Sequence, residues 1–193
     1  MSYLTETQIS QIKNNVRLLS IDKVDNISHY SFNSGIQEYD DFLKSAKLFC
    51  DINISKTFLL IHRGTNELIA YMTLSSDSIK LTNDEKDFHE LSKVPYASIP
   101  ALKVGKLAVN KVLSDSAKSK GYGSFMLCLA QAFAYNANEL GIACRFITVD
   151  ADIEYNIDTP NFYKKNGFIE NLSNKRRNAI HTISMRKDIF SSL

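Results

Sequence analysis

The sequence predicts one α/β domain built on a mixed, mostly antiparallel central sheet flanked by helices. Three observations carry that expectation. β-rich runs and segments of helical periodicity alternate in the order β, α, β-β, β-α, β-α, β-β. A Gly-x-Gly pair, Gly121 and Gly123, joins a strand-like run to a long helical pattern. The chain has 193 residues, 44% of them hydrophobic and 23% charged, which is enough for one sizeable core. No repeat, Pro- or Gly-rich linker or low-complexity segment divides it. A single domain over residues 1–193 is expected, with 1–15 as an N-terminal extension and the core over about 16–187.

Residues 5–15 read as a short polar helix and Val16 to Ile21 as a first strand. Ile36, Tyr39, Phe42, Leu43, Ala46 and Phe49 recur at helical spacing, so Gly35 to Cys50 is an amphipathic helix. Thr57 to His62 and Leu68 to Leu74 are β-rich and joined by the Gly-containing Arg63 to Glu67, a hairpin signal. Residues 75–98 read as an insertion or crossover carrying a short helix over Asn83 to Leu91. Leu102 to Val109 is the next strand. The helix Ser124 to Leu140 buries Met126, Leu129, Ala130, Phe133, Ala137 and Leu140, and Gly141 is placed to cap it. Ile142 to Val149 is a strand and Pro160 to Lys165 a short helix, with Pro160 in its first turn and Gly167 at its end. Phe168 to Leu172 and Ile180 to Arg186 close the sheet.

The glycine loop is the most informative stretch. Lys118-Ser119-Lys120-Gly121-Tyr122-Gly123-Ser124 can turn tightly and approach a ligand closely. The helix that follows offers unpaired N–H groups and the positive end of its dipole, a setting for an anion such as a pyrophosphate. Two nucleotide fingerprints fail on spacing. No GxxxxGK[ST] is present, and Met126 stands where GxGxxG needs its third glycine.

Other classes are excluded in the same way. No apolar run approaches the roughly 18 residues of a membrane span. Met1 to Asn15 is polar and lacks a signal-peptide core. Cys50, Cys128 and Cys144 lack metal-type spacing and read as reduced thiols of a cytoplasmic protein. His29, His62, His89 and His181 share no short spacing, so no metal site is expected. There is no Gly-x-Ser-x-Gly element. A formal charge of +2 does not by itself argue for nucleic acid.

A second stretch, Asn156 to Phe168, changes the reading. Together with the glycine loop it resembles the GNAT superfamily of acyl-CoA-dependent N-acetyltransferases. Lys118 to Gly123 matches that family's [R/Q]xxGxG/A except at its first position, and Asn156 to Phe168 fits NxxAxxFYxxxGF with Thr159 for the alanine. The likeness covers roughly residues 55–187. It implies the GNAT fold, acetyl-CoA as cofactor and direct attack of an amine in a ternary complex. It implies that the N–H groups of Gly121, Tyr122, Gly123 and Ser124 hold the pyrophosphate, beside Lys118. It further implies that Leu107, Ala108 and Val109 pair with the pantetheine arm, that Asn156 bonds to the cofactor, and that Tyr163 is the catalytic acid. Chemistry agrees with this last role, because a phenol of pKa about 10 is protonated at neutral pH and can donate to a departing thiolate. For a general base, Asp150, Asp152 and Glu154 are candidates. An enzyme without a strong base favours α-amines, whose pKa of about 8 leaves an appreciable neutral fraction.

The N-terminal half is similar to GNAT toxins of bacterial toxin–antitoxin pairs. Phe32-Asn33-Ser34-Gly35 with Tyr39-Asp40-Asp41-Phe42-Leu43 resembles their F-x-C-G … L-D-x-F-L. Ala70 to Ser75 resembles G-Y-Y-T-L-S, and Leu102 to Val109 resembles P-x-x-x-L-G-R-L-A-V-D. Ser34 replaces the usual cysteine, Ala70 the glycine and Asn110 the aspartate. Such toxins acetylate the α-amine of aminoacyl-tRNA, so the likeness implies charged tRNA as acceptor and an antitoxin protein as partner. Homodimers are common in the family. A tRNA needs phosphate contacts, for which Lys103, Lys106, Lys111, Lys118, Lys120, Lys164, Lys165 and the run Lys175-Arg176-Arg177 are candidates. An acetyltransferase for a small amine or a protein N-terminus, and a catalytically silent acyl-CoA-binding domain, remain the rival readings.

Overall fold

Thr5 begins the ordered secondary structure by capping a helix in both directions. Its hydroxyl accepts the Gln8 N–H, and the Gln8 side chain accepts the Thr5 N–H. The computed structural model describes residues 4–172 and 181–191. Its helices are α1 (Glu6–Asn15), α2 (Gln37–Asp51), α3 (Asn83–Phe88), α4 (Tyr122–Glu139) and α5 (Thr159–Lys165). Its strands are β1 (Val16–Ser20), β2 (Lys56–His62), β3 (Leu68–Lys80), β4 (Ser98–Val109), β5 (Phe146–Asp152), β6 (Ile169–Glu170) and β7 (Thr182–Asp188). Among the described residues the strands form a seven-stranded sheet in the order β1-β2-β3-β4-β5-β7-β6.

The chain divides into two compact units. The N-terminal unit is Leu4–Ser75 with Gly105–Cys128. Here β1, β2 and β3 pair antiparallel, from Val16 opposite His62 to Lys56 opposite Leu74, with an irregularity at Leu60/Ile61. Leu59, Leu60 and Ile61 are consecutive and fully buried, so β2 is covered on both faces. The core gathers Ile21, Leu43, Ala46, Cys50, Leu59, Ile61, Tyr71 and Ala108, with Tyr39 and Phe42 of α2 packed against it. The Tyr71 hydroxyl donates to the Tyr39 carbonyl at 2.8 Å, so the aromatic is buried with its polar end satisfied.

The C-terminal unit is Ser76–Val104 with Leu129–Leu193. β4 and β5 pair in parallel, Ala101 to Val104 with Phe146 to Val149. β5 and β7 then pair antiparallel over their full lengths, and β6 adds to β7. Ile79, Leu81, Ile99, Ala101 and Phe146 form an apolar cluster under Leu91 and Val94. Beside Phe146 lies a buried polar network. Arg186 donates to Glu85 at 2.6 Å, to Asn171 at 2.9 Å and to His89 Nε2 at 3.0 Å. His89 Nδ1 meets Asp188 at 3.0 Å, and Arg145 reaches the same carboxylate at 2.7 Å. Because His89 Nε2 accepts from Arg186, its proton sits on Nδ1. Glu85 also caps α3, accepting the Thr82 N–H, and takes the Leu172 N–H. Residues 75–98 are thus riveted to the closing strand through Glu85 and His89.

Most expected elements form, with shifted ends. β3 runs on to Lys80, and β4 begins at Ser98 rather than Leu102. β5 begins at Phe146, not Ile142, for a specific reason. Gly141, at φ +84, ends α4 with its N–H on the Asn138 carbonyl and the Ile142 N–H on the Ala137 carbonyl. The Asn138 side chain then holds both the N–H and the carbonyl of Cys144, which keeps this stretch out of the sheet. Leu140, expected in the core, is 80% exposed because it follows the helix end. α3 stops at Phe88, short of Leu91. Ile180 and the run Lys175-Arg176-Arg177 lie outside the described residues.

Candidate active site

In the N-terminal unit the segment after β4 is fixed before it reaches the glycines. Asn110 is buried. Its Oδ1 accepts the N–H groups of Asn33 and Val112, both at 3.1 Å, and its Nδ2 donates to the Ser31 and Leu68 carbonyls at 3.0 and 2.9 Å. Four residues on, Ser114 is clamped to Glu67, its N–H at 2.9 Å and its hydroxyl at 2.5 Å from the carboxylate. The hydroxyls of Ser114 and Thr65 and the Ser114 amide hold the Glu67 carboxyl down to about 2. The Ser114 carbonyl accepts the N–H groups of Ala117 and Lys118. The buried Tyr122 side chain returns to donate to the Ala117 carbonyl at 2.7 Å.

This frame leaves Lys118, Ser119 and Lys120 exposed while Tyr122 and Ser124 are buried. Gly121 has φ +94, a conformation that favours glycine. Its carbonyl accepts the Phe125 N–H at 2.8 Å, the first rung of α4. The N–H groups of Tyr122, Gly123 and Ser124 therefore lie ahead of the helix ladder, beside the exposed Lys118, Ser119 and Lys120. Donors and cations in this arrangement fit a pyrophosphate. Leu107 and Val109 of β4 are half-buried, while Ala108 turns its methyl into the core.

In the C-terminal unit, Tyr163 is placed by the two ends of α5. At the start, the exposed Asn156 accepts the Asp158 N–H on its side-chain oxygen at 3.0 Å. Its main-chain carbonyl takes the N–H and hydroxyl of Thr159. At the end, Gly167 has φ +85, with its N–H on the Lys164 carbonyl and the Phe168 N–H on that of Tyr163. This return places the Phe168 ring 5.5 Å from that of Tyr163, with Phe162 at 5.1 Å. Tyr163 is only 8% exposed. Burial, and then the charges of Asp150 and Asp152, push its phenol well above the ordinary tyrosine value. The candidate bases are engaged elsewhere. Asp150 pairs with Lys103 at 2.5 Å, Glu154 with His181 at 3.2 Å, and Asp152 accepts the Glu154 N–H at 3.0 Å.

Several lysines offered as phosphate contacts are also engaged. Besides Lys103, Lys106 pairs with Glu38 and covers the Tyr39 ring at 4.3 Å, and Lys164 pairs with Glu170 at 2.7 Å. Lys111 lies over Gly35. Lys118, Lys120 and Lys165 are exposed. No helix among the described residues is long and apolar enough to cross a membrane, and none of their His, Cys, Asp and Glu cluster as metal ligands.

Solved structures share this fold. A tyrosine-to-phenylalanine variant of KacT is similar with a TM-score of 0.66 at 21% identity, over 88% of this chain and 94% of that one. AtaT complexed with acetyl-methionyl-tRNAfMet gives 0.65 at 18% identity, over 88% and 94%. AtaTR bound with AcCoA gives 0.65 at 20%, over 89% and 93%. The chain has the GNAT fold. No protein-family model and no curated protein matches it in sequence.

Departures from the GNAT motifs have local physical reasons. Ser34, in place of cysteine, donates its hydroxyl to Asp40 at 2.7 Å while its N–H reaches the same oxygen at 2.9 Å. Asp40 of the L-D-x-F-L-like stretch thus staples the F-x-C-G-like loop to α2. Asn110, in place of aspartate, donates to carbonyls that a carboxylate would repel. Thr159, in place of alanine, adds a hydroxyl bond to Asn156 at 2.7 Å. Sequence reasoning missed the Glu67 clamp and the packing of Leu4 and Ile12 against Gly121. The Thr5-x-x-Gln8 capping pattern signals where α1 starts but carries no sign of what it packs on.

Proposed function

We propose that this chain is an acetyl-CoA-dependent N-acetyltransferase acting on the α-amine of an aminoacyl-tRNA, as the toxin of a toxin–antitoxin pair. The observation that carries the reading is the Lys118–Ser124 loop, a glycine turn opening onto free helix-start N–H groups, on the fold of AtaT. AtaT has been seen complexed with acetyl-methionyl-tRNAfMet, and its tyrosine-to-phenylalanine variant with the C-terminus of the antitoxin AtaR and acetyl-CoA. Acetyl-CoA, when bound, supplies an acetyl group activated as a thioester. The N–H groups of Gly121, Tyr122, Gly123 and Ser124 take its pyrophosphate and Lys118 adds charge. The backbone of Leu107, Ala108 and Val109 aligns the pantetheine arm, and the Asn156 amide N–H groups donate to the cofactor. Tyr163 holds a proton on its phenol oxygen and offers it to sulfur as negative charge builds there. Its raised pKa keeps that proton in place throughout the neutral range. With Asp150 paired to Lys103 and no strong base assigned, the amine arrives already neutral, which suits an α-amine better than a lysine.

A second reading, a small amine or protein N-terminus as acceptor, is favoured by one observation. The ion pairs of Lys103, Lys106 and Lys164 remove cations that a tRNA backbone would use. Release of coenzyme A thiol, measured with charged tRNA beside polyamines, amino acids and peptides, separates the two. Acetylated aminoacyl-tRNA and steeply salt-dependent RNA binding are expected. Turnover of small amines, with no RNA binding at low salt, would move the assignment to the second reading.

A further inference from the structure

α1 is a polar helix whose one buried side chain is Ile12, and Leu4 just ahead of it is buried as well. Both converge on one atom position. A Cβ built on Gly121 would lie 2.7 Å from Leu4 Cδ2 and 3.7 Å from Ile12 Cδ1. Gly121 is the residue whose left-handed backbone sets the direction of α4 and whose carbonyl takes its first rung. The apolar contact is therefore made at the hinge of the cofactor loop. The polar face of α1 continues the contact. Gln8, Gln11 and Asn15 line a concavity of about 550 Å³ with Lys118, Ser119 and Lys120. The capping box at Thr5 fixes where α1 starts, and so where Leu4 points.

We propose that the N-terminal segment is a positioning element of the cofactor loop. Leu4 and Ile12 wedge against Gly121 and hold the N–H groups of Tyr122, Gly123 and Ser124 in the array that takes a pyrophosphate. The inference rests on the acetyl-CoA reading above and extends it to residues outside the motifs. It follows that α1 acts on the pyrophosphate end of the cofactor and not on its thioester end. The contact is apolar and shape-dependent. Leu4→Ala leaves a gap beside Gly121, whereas Leu4→Met refills it with similar volume.

The test uses the full chain and its Leu4→Ala and Leu4→Met variants, each first checked for a cooperative unfolding transition. Calorimetric titration with coenzyme A and with pantetheine, which lacks the pyrophosphate, gives the first readout. Amide hydrogen exchange of Ala117, Lys118 and Phe125, whose N–H groups are hydrogen-bonded at the two ends of the loop, gives the second without ligand. For Leu4→Ala the expected results are about tenfold weaker coenzyme A binding, pantetheine binding within about twofold of wild type, and faster exchange confined to the loop. Leu4→Met is expected to restore all three. Equal loss for coenzyme A and pantetheine, or unchanged loop exchange in Leu4→Ala, would overturn the proposal. If the wild type bound no coenzyme A, the functional reading would fall, and loop exchange would still decide whether α1 fixes the loop.

Discussion

The Arg186 network and the glycine loop both concentrate polar groups, and they dispose of them in opposite ways. In the network the guanidinium of Arg186, the Glu85 and Asp188 carboxylates and the His89 ring are buried and bond to one another. In the loop the lysines are exposed and the N–H groups of Tyr122, Gly123 and Ser124 precede the first helical rung. Charges that satisfy one another specify a fold, and donors left open await a ligand. Tyr163 has features of both. It is buried like the network, and burial with the charges of Asp150 and Asp152 pushes its phenol up, which holds the proton on while making it a weaker donor.

Breaking the closed side should have the largest effect. Arg186→Met leaves Glu85 buried without its cation and is expected to cost about 3–5 kcal/mol in urea unfolding. Changing both residues to Met removes the stranded charge, so the double variant should recover about 2 kcal/mol of that loss, less what the α3 cap contributes. A double variant as unstable as the single would show that the network is not closed in this sense. The pH dependence follows from the same residues. Burial acts to raise both carboxyls. At Glu85 the Thr82 and Leu172 amides and the Arg186 charge outweigh it. At Asp188 the His89 and Arg145 bonds do so, and both groups end below their ordinary values. Each therefore contributes stability that is full above the unfolded carboxyl value of about 4 and is lost as pH falls through that value towards the folded one. Arg186→Met should flatten the acid limb of the stability curve.

Tyr163→Phe tests the residue that combines both features. Its ring contacts with Phe162 and Phe168 remain, so stability should change by less than about 1 kcal/mol. Turnover should fall about 100-fold or more, the range for loss of a general acid. The wild-type rate should rise with pH as the acceptor amine loses its proton, without a fall up to about pH 10, because Tyr163 stays protonated there. A full rate in the phenylalanine variant, or an alkaline limb removed by it, would contradict the role.

Asn110→Asp probes a closed site that supports the open one. The carboxylate would face the Ser31 and Leu68 carbonyls that now accept the amide. A loss of about 1–3 kcal/mol is expected, read by urea unfolding. A neutral result would mean that the two donations to the Ser31 and Leu68 carbonyls contribute nothing to stability.

What was legible in the sequence divides along the same line. The glycine loop and the Asn156 to Phe168 segment could be read because their chemistry is local. A positive φ, a helix start and a two-residue return at Gly167 need only neighbours in the chain. Apolar periodicity likewise gave α2 and the β2–β3 hairpin. The network could not be read, since Glu85 and Arg186 are far apart in the chain and each alone looks like a surface charge. The start of β5 reads too early because apolar Ile142 looks like strand, whereas the Asn138 side chain holds Cys144 out of the sheet. Leu4 was invisible as a support, since nothing near it in sequence points to Gly121.

The smallest effect is expected where the loop meets the rest of its unit through the half-buried Glu67. Glu67 clamps Ser114, whose carbonyl starts the turn leading to Lys118. Glu67→Gln keeps the shape and weakens both bonds, because an amide oxygen is a poorer acceptor than a carboxylate. The loop keeps its other anchors, the Tyr122 hydroxyl and the Leu4 contact at Gly121, so coenzyme A binding should weaken only about two- to fivefold. The Glu67 carboxyl is held down to about 2 and stays ionised from neutral pH to pH 4. The ratio of wild-type to variant affinity should therefore be the same at both pH values. A ratio that collapses on acidification would mean that Glu67 titrates in this range and that the Ser114 clamp is weaker than its geometry indicates.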